Sequence, residues 1–152
     1  MQDRHTHFMK EALKEAQRAS DADEIPIGAV IVLKDRIIAR AHNQVEKLND
    51  ATAHAEMIAI TSASGFLGSK FLEDCTLYVT VEPCLMCASA LYWSRISSIC
   101  FGASDNRFGY TSLNKNIFGE KVKVHHGILA KECSKLVLDF FQKKRDLDDL
   151  VK

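Results

Sequence analysis

Proline and glycine are scarce: two prolines and seven glycines in 152 residues, and neither type gathers into a run. With no linker of that kind, no low-complexity stretch and no internal repeat, a single domain spanning 1–152 is the expectation. No apolar run approaches the roughly twenty residues of a membrane span, which argues against a membrane partner. The opening stretch, MQDRHTHFMKEALKEAQ, also lacks the apolar segment of a signal peptide, so the cytoplasm is the expected compartment. Charge of one sign is missing as well, since 20 Lys and Arg balance 20 Asp and Glu. A neutral chain argues against indiscriminate DNA binding and leaves room only for a local basic patch. The five cysteines, an odd number, do not make a disulfide framework. In a reducing compartment a C-x-x-C pair reads instead as metal-binding or redox-active.

What is present is an ordinary globular composition, 47% hydrophobic and 26% charged. Phe8, Met9, Ala12, Leu13 and Ala16 recur at helical spacing and predict an amphipathic helix over 4–20. Ile27 to Leu33 is almost wholly apolar and Arg36 to Ala41 follows after Lys34-Asp35, the pattern of a hairpin with a buried first strand. A helix is expected over 52–63, closed by Gly65 and Gly68. A strand over 76–81, a helix over 84–93, and strands over 96–101 and 121–125 come next. The final helix carries a stripe of Leu129, Cys133, Leu136, Val137, Phe140 and Phe141. This order predicts an α/β fold with a mixed sheet, helices on its faces and parallel strands in its second half.

Two motifs carry the chemistry: His54-Ala55-Glu56 and Pro83-Cys84-Leu85-Met86-Cys87. Both fall at the start of a predicted helix, where unpaired amides and the helix dipole favour a thiolate. Cys84 and Cys87, three apart, share a helical face and can grip one ion. An imidazole with two thiolates suits zinc, and three protein ligands leave a position for water, as catalytic sites do. Glu56 diverges from His54 on the helix and is placed to serve as the proton carrier. Other readings stand beside this one. A lone C-x-x-C also serves as a structural zinc half-site or a thioredoxin-like redox pair, but the redox reading leaves His54 and Glu56 without a role. Cys75, Cys100 and Cys133 fall at apolar positions as small hydrophobes. His5, His7, His42, His125 and His126 lie outside any motif.

H-x-E with P-C-x-x-C is the known signature of zinc nucleobase deaminases. On it the sequence resembles the cytidine deaminase-like superfamily and, within it, the bacterial tRNA-specific adenosine deaminases. The resemblance also rests on Ile25 to Val30, Asn43, Asn49 to Glu56, Thr76 to Cys87, Phe101 to Asp105 and the segment from Gly127 to Arg145. It implies a three-layer α/β/α fold with a central five-stranded mixed sheet, one zinc per chain on His54, Cys84 and Cys87, and proton transfer by Glu56. It further implies that Asn43 bonds a flipped-out nucleotide, that Ile27 and Val81 line its pocket, and that Asp105 approaches the flanking nucleotides. The basic end of the last helix, Lys143, Lys144 and Arg145, would contact RNA, and two copies would form a homodimer.

The residue types taken alone also allow a turn role for Asn43, core roles for Ile27, Val81, Phe140 and Phe141, a turn cap for Asp105, and a solvated face for the Lys-Lys-Arg cluster. The chain departs from the family after Asp105. It reads Asn106-Arg107-Phe108-Gly109-Tyr110 and reaches Lys121 quickly, with Arg107 in the place of a usual Lys, where it is a candidate phosphate contact. Tyr92-Trp93 also occurs in related guanine deaminases. Three functions therefore stand: wobble adenosine deamination in the tRNA anticodon loop, deamination of free guanine or cytosine, and a non-catalytic zinc subunit that binds RNA.

Overall fold

The computed structural model of the protein describes residues 2–151. Its elements are α1 (Gln2–Asp21), β1 (Gly28–Leu33), β2 (Arg36–His42), α2 (Val45–Leu48), α3 (Ala55–Leu67), β3 (Cys75–Val81), α4 (Leu85–Trp93), β4 (Ser98–Ala103), α5 (Tyr110–Asn114), β5 (Lys123–His125) and α6 (Ala130–Val151). One mixed sheet runs β2-β1-β3-β4-β5. β1 is antiparallel to both β2 and β3, whereas β3, β4 and β5 are parallel. The sheet is thus the five-stranded mixed sheet that the sequence predicts.

Alternation along the strands divides the core in two. Ala29, Ile31, Leu77, Val79, Ile99 and Phe101 pack on one face against Ala55, Ala59 and Ala63 of α3 and Ala88 and Leu91 of α4. Val30, Val32, Tyr78 and Cys100 pack on the other against Phe8, Met9 and Ala12 of α1 and Cys133 of α6. Small alanines on α3 let that helix lie close to the sheet. β1 is buried on both faces because it sits between two strands and two helical layers.

Local chemistry sets the boundaries. Lys34 and Asp35 both take positive φ, 50° and 63°, the backbone a two-residue hairpin turn demands. Gly65 lies inside α3, and Gly68 closes it in the left-handed conformation at φ 65°. Several sequence expectations shift: the strand expected over 96–101 runs over Ser98–Ala103, and the short helix α2 is not among the expected elements. β5 begins only at Lys123 and is exposed throughout, an edge strand paired on one side alone. The segment between β4 and β5 is not a bare loop, because it forms α5 and buries Tyr110 against Phe118 with ring centroids 5.1 Å apart. Of the α6 stripe only Cys133 is fully buried, while Leu136, Val137 and Phe140 are half-covered and Phe141 is exposed. The 22 residues of α6 span about 33 Å at ~1.5 Å each. The six of β4 span about 20 Å at ~3.3 Å each, so the end of α6 outruns the sheet.

Candidate metal centre

The parallel strands β3 and β4 end side by side, with Val81 paired to Ala103, and the turns beyond carboxyl ends are where open α/β sheets hold ligands. The antiparallel hairpin brings its own end to the same edge. The register pairing Ala29 with Val79 carries Ile27 alongside Val81, and Asn43 donates its amide to the Ile27 carbonyl at 3.1 Å. Ile27, Asn43 and Val81 are therefore gathered at one edge of the sheet by pairing alone. Val81 is buried and Ile27 half-buried, so both also contribute to the core.

His54 and Cys84 occupy equivalent places, the N-caps of α3 and α4, each with extended backbone and neither with its side chain spent on its own helix. Both side chains are thus free to turn toward each other. The His54 Nδ1 lies 3.6 Å from the Cys84 Sγ and 3.5 Å from the Cys87 Sγ. The three donor atoms all lie within 4.8 Å of one another, and among the described residues they form the one cluster of His, Cys, Asp and Glu close enough to hold an ion. One imidazole and two sulfurs are the donor types zinc takes, and their number matches an open catalytic site, not a closed structural one.

The electrostatics favour one thiolate in the cluster. The Cys87 thiol donates to Cys84 and the nearby His54 supports the same thiolate, so the Cys84 thiol falls to about 4. Cys87 is pushed up by that same bond and by burial, and His54 is held above its usual value by the Cys84 thiolate. Glu56, in the first turn of α3, is buried, and its Oε1 has no hydrogen-bond partner. Burial first, and the Cys84 thiolate second, push its carboxyl up to about 7. A carboxylate oxygen with no partner in a protein interior is costly unless something arrives to bond it. Its orphaned oxygen beside three soft donors fits a metal-bound ligand as the missing partner.

The remaining sequence candidates are placed as follows. The Asn43 Oδ1 accepts the Ala55 amide at 2.8 Å and its Nδ2 donates to the Ile25 carbonyl at 3.2 Å, so it bonds the backbone on both sides of the cluster. Asp105 caps its own turn by accepting the amides of Arg107 and Phe108 at 3.0 and 3.1 Å. Arg107 is exposed and its guanidinium lies 5.0 Å from the Phe108 ring centroid. Lys144 forms an ion pair with Asp23 at 2.7 Å, and the Arg145 Nη2 donates to Gln142 at 2.7 Å. These two stand on α6 near the end of α1, with partners within the chain, and not in the His54 cluster.

Sequence reasoning missed Glu82. This buried carboxylate accepts the Asp105 amide at 3.1 Å through Oε1, and the Thr111 amide at 3.0 Å and hydroxyl at 2.7 Å through Oε2. It stands two residues before Cys84, and Gly109 forms an isolated antiparallel bridge with Cys84. The signal was a lone acid at the end of an apolar strand, which only a long-range partner could explain.

Four likenesses to known proteins bear on this arrangement. Residues 2–103 match the family described as the cytidine and deoxycytidylate deaminase zinc-binding region. The chain is 46% identical over 145 residues to a tRNA-specific adenosine deaminase of Aquifex aeolicus, covering 92% of this chain and 95% of that one. A solved structure from a study of A-to-I editing by tRNA:A34 deaminases at the wobble position of transfer RNA superposes with a TM-score of 0.81 at 42% identity, covering 86% of this chain and 99% of that one. A guanine deaminase from Bacillus subtilis also superposes, with a TM-score of 0.65 at 40% identity over 72% of this chain and 73% of that one.

Proposed function

The chain belongs to the zinc-binding cytidine and deoxycytidylate deaminase family, in its tRNA-specific adenosine deaminase branch, and from that premise we propose which residues do the work and on what substrate. It is a hydrolytic deaminase that converts adenosine to inosine at the wobble position of a tRNA anticodon. The observation that carries the chemistry is the His54–Cys84–Cys87 cluster with the unpartnered Glu56 oxygen beside it. His54, Cys84 and Cys87 would hold one zinc. When bound, zinc supplies a Lewis acid that makes water a nucleophile at neutral pH.

The protein's own part is proton handling and positioning. Glu56 takes one proton from the attacking water and passes it to a ring nitrogen, then takes the second from the hydroxyl formed at C6 and delivers it to the amine as it leaves. The balance is simple: water adds its oxygen at C6, the C6–N bond breaks, and ammonia departs. Asn43 keeps a second Nδ2 hydrogen for the nucleotide, while Ile27 and Val81 flank the entering base. Base extrusion costs little in a loop, where the target is already unpaired, which suits an anticodon. Asp105, Arg107, Lys144 and Arg145 are assigned to RNA, the last two at the cost of their present partners.

The whole of 1–152 serves as one catalytic domain working in the cytoplasm. Among the described residues no helix is long and apolar enough to cross a membrane. A homodimer is supported by Phe66 on α3 and Leu85, Tyr92 and Trp93 on α4, large apolar side chains left exposed on one helical layer. The rival substrate is free guanine, favoured by the likeness to the Bacillus subtilis guanine deaminase and by zero net charge. Incubation with an anticodon stem-loop bearing wobble adenosine, and separately with guanine, cytosine and adenine, decides between them. Inosine in the stem-loop supports the reading. Ammonia from guanine with no inosine in the stem-loop overturns it.

A further inference from the structure

The turn that follows β4 is fastened to the metal centre at several points. Both Glu82 oxygens bind it, at Asp105 and at Thr111, and the Tyr110 amide donates to the Pro83 carbonyl at 2.9 Å. Gly109 pairs directly with Cys84. Within the turn, Asp105 holds the amides of Arg107 and Phe108, so the backbone on either side of these two residues is bonded.

A fixed backbone makes the position of Phe108 meaningful. Its side chain is 60% exposed and belongs to neither core cluster, although it lies one residue from the Cys84 partner. On a loose loop an exposed aromatic needs no explanation, because it can turn inward at little cost. Here the bonded backbone fixes the point from which the ring projects, and the Arg107 guanidinium rides 5.0 Å from its centroid. A flat π-face backed by a cation is the pair of groups that stacks an unpaired base and meets its phosphate.

We propose that Phe108, with Arg107 beside it, is a stacking platform for an unpaired base adjacent to the adenosine that enters the site. This rests on the RNA reading of the substrate, since a free base brings no neighbour to stack. Glu82 and Asp105 are the positioning residues that hold the platform in place.

The test uses the full chain loaded with zinc, the anticodon stem-loop, and the same stem-loop with abasic sites flanking the target. Phe108→Ala should raise KM on the intact stem-loop about fivefold or more, at nearly unchanged kcat, whereas Phe108→Tyr keeps the parent KM. Abasic flanks should raise KM for the parent and add little further for Phe108→Ala, because both remove one contact. Phe108→Leu, which keeps an apolar side chain without the ring, should behave as Phe108→Ala and guards against a folding defect. An unchanged KM in Phe108→Ala overturns the platform while leaving the tRNA reading intact. So do additive losses with the abasic substrate, or a fall confined to kcat. A parent chain that leaves the stem-loop untouched overturns both, and that failure is visible before any variant is made.

Discussion

Asn43 caps a helix from twelve residues away: its Oδ1 accepts the Ala55 amide at 2.8 Å, at the start of α3, where the N-cap residue itself is His54. The first turn of a helix has amides that need acceptors, and the N-cap side chain ordinarily supplies one. By taking that duty Asn43 leaves the His54 imidazole free for Cys84 and Cys87. Asn43→Ala should cost about 1 kcal/mol, the usual worth of a cap, and lower Tm by roughly 2–4 °C. Asn43→Asp retains the acceptor and should restore most of the Tm. Because the Asp has no Nδ2 hydrogens, its activity should stay low if the amide also holds a nucleotide. Full recovery of both Tm and turnover would confine Asn43 to capping.

Glu56→Gln keeps the size of a buried side chain and removes its capacity to carry a proton. Zinc content by atomic emission should stay at one per chain, with turnover down about 10²- to 10⁴-fold, the usual worth of a positioned acid–base group. Parent-like turnover would remove Glu56 from the reaction.

Cys84 and His54 begin two different helices, so an ion held between them ties α3 to α4. Removing zinc with a chelator should abolish turnover and lower Tm, and adding zinc back should restore both. Cys87→Ala should bind less than one zinc and lose Tm without recovery on zinc addition. A chelated sample whose Tm is unchanged would show that the cluster holds no structural ion.

Glu82 and Gly109 are in intimate contact: a Cβ on Gly109 would stand 2.1 Å from the Glu82 Oε2. Gly109→Ala should therefore push the carboxylate off Thr111. Glu82→Gln turns one acceptor into a donor facing a backbone amide, at Asp105 or at Thr111, and bonds to a charged acceptor are worth about 1.5–3 kcal/mol each. Both variants should bind zinc normally, show faster amide exchange over residues 105–111, and lose roughly tenfold or more in kcat/KM on the stem-loop. Unchanged exchange in that segment would remove Glu82 as its anchor.

On the far face of the sheet, the His5 Nδ1 meets the Tyr78 hydroxyl at 2.8 Å, with the His125 ring 5.0 Å away. Burial first, then His125 and Arg4, depress the His5 pKa. The unfolded chain therefore binds the proton more tightly, with a His near 6.5. The stability this contributes is present above that value and is lost as pH falls through the lower folded one. Tm should drop between pH 7.5 and 5, and His5→Gln should flatten the drop. An identical slope in the variant would place the titration elsewhere.

Most of what lies within reach along the chain was legible in the sequence, the short helices α2 and α5 excepted. Thr76–Val81, Ile27–Leu33 and the alanine-rich α3 announce themselves because strand and helix periods are properties of neighbours, and the H-x-E and C-x-x-C spacings fix which donors can share an ion. The sequence also settled Cys75, Cys100 and Cys133 as core, since all three are buried at apolar positions. Only the folded chain decided the rest. It set His54 beside Cys84 across thirty residues, gave Asn43 its cap, and revealed Glu82 as the anchor of a turn. It exposed Phe108 and Phe141, one on a bonded turn and one on a helix longer than its sheet. These depend on which surfaces meet, and burial of a polar group or exposure of a ring is a relation between distant segments that no local pattern encodes.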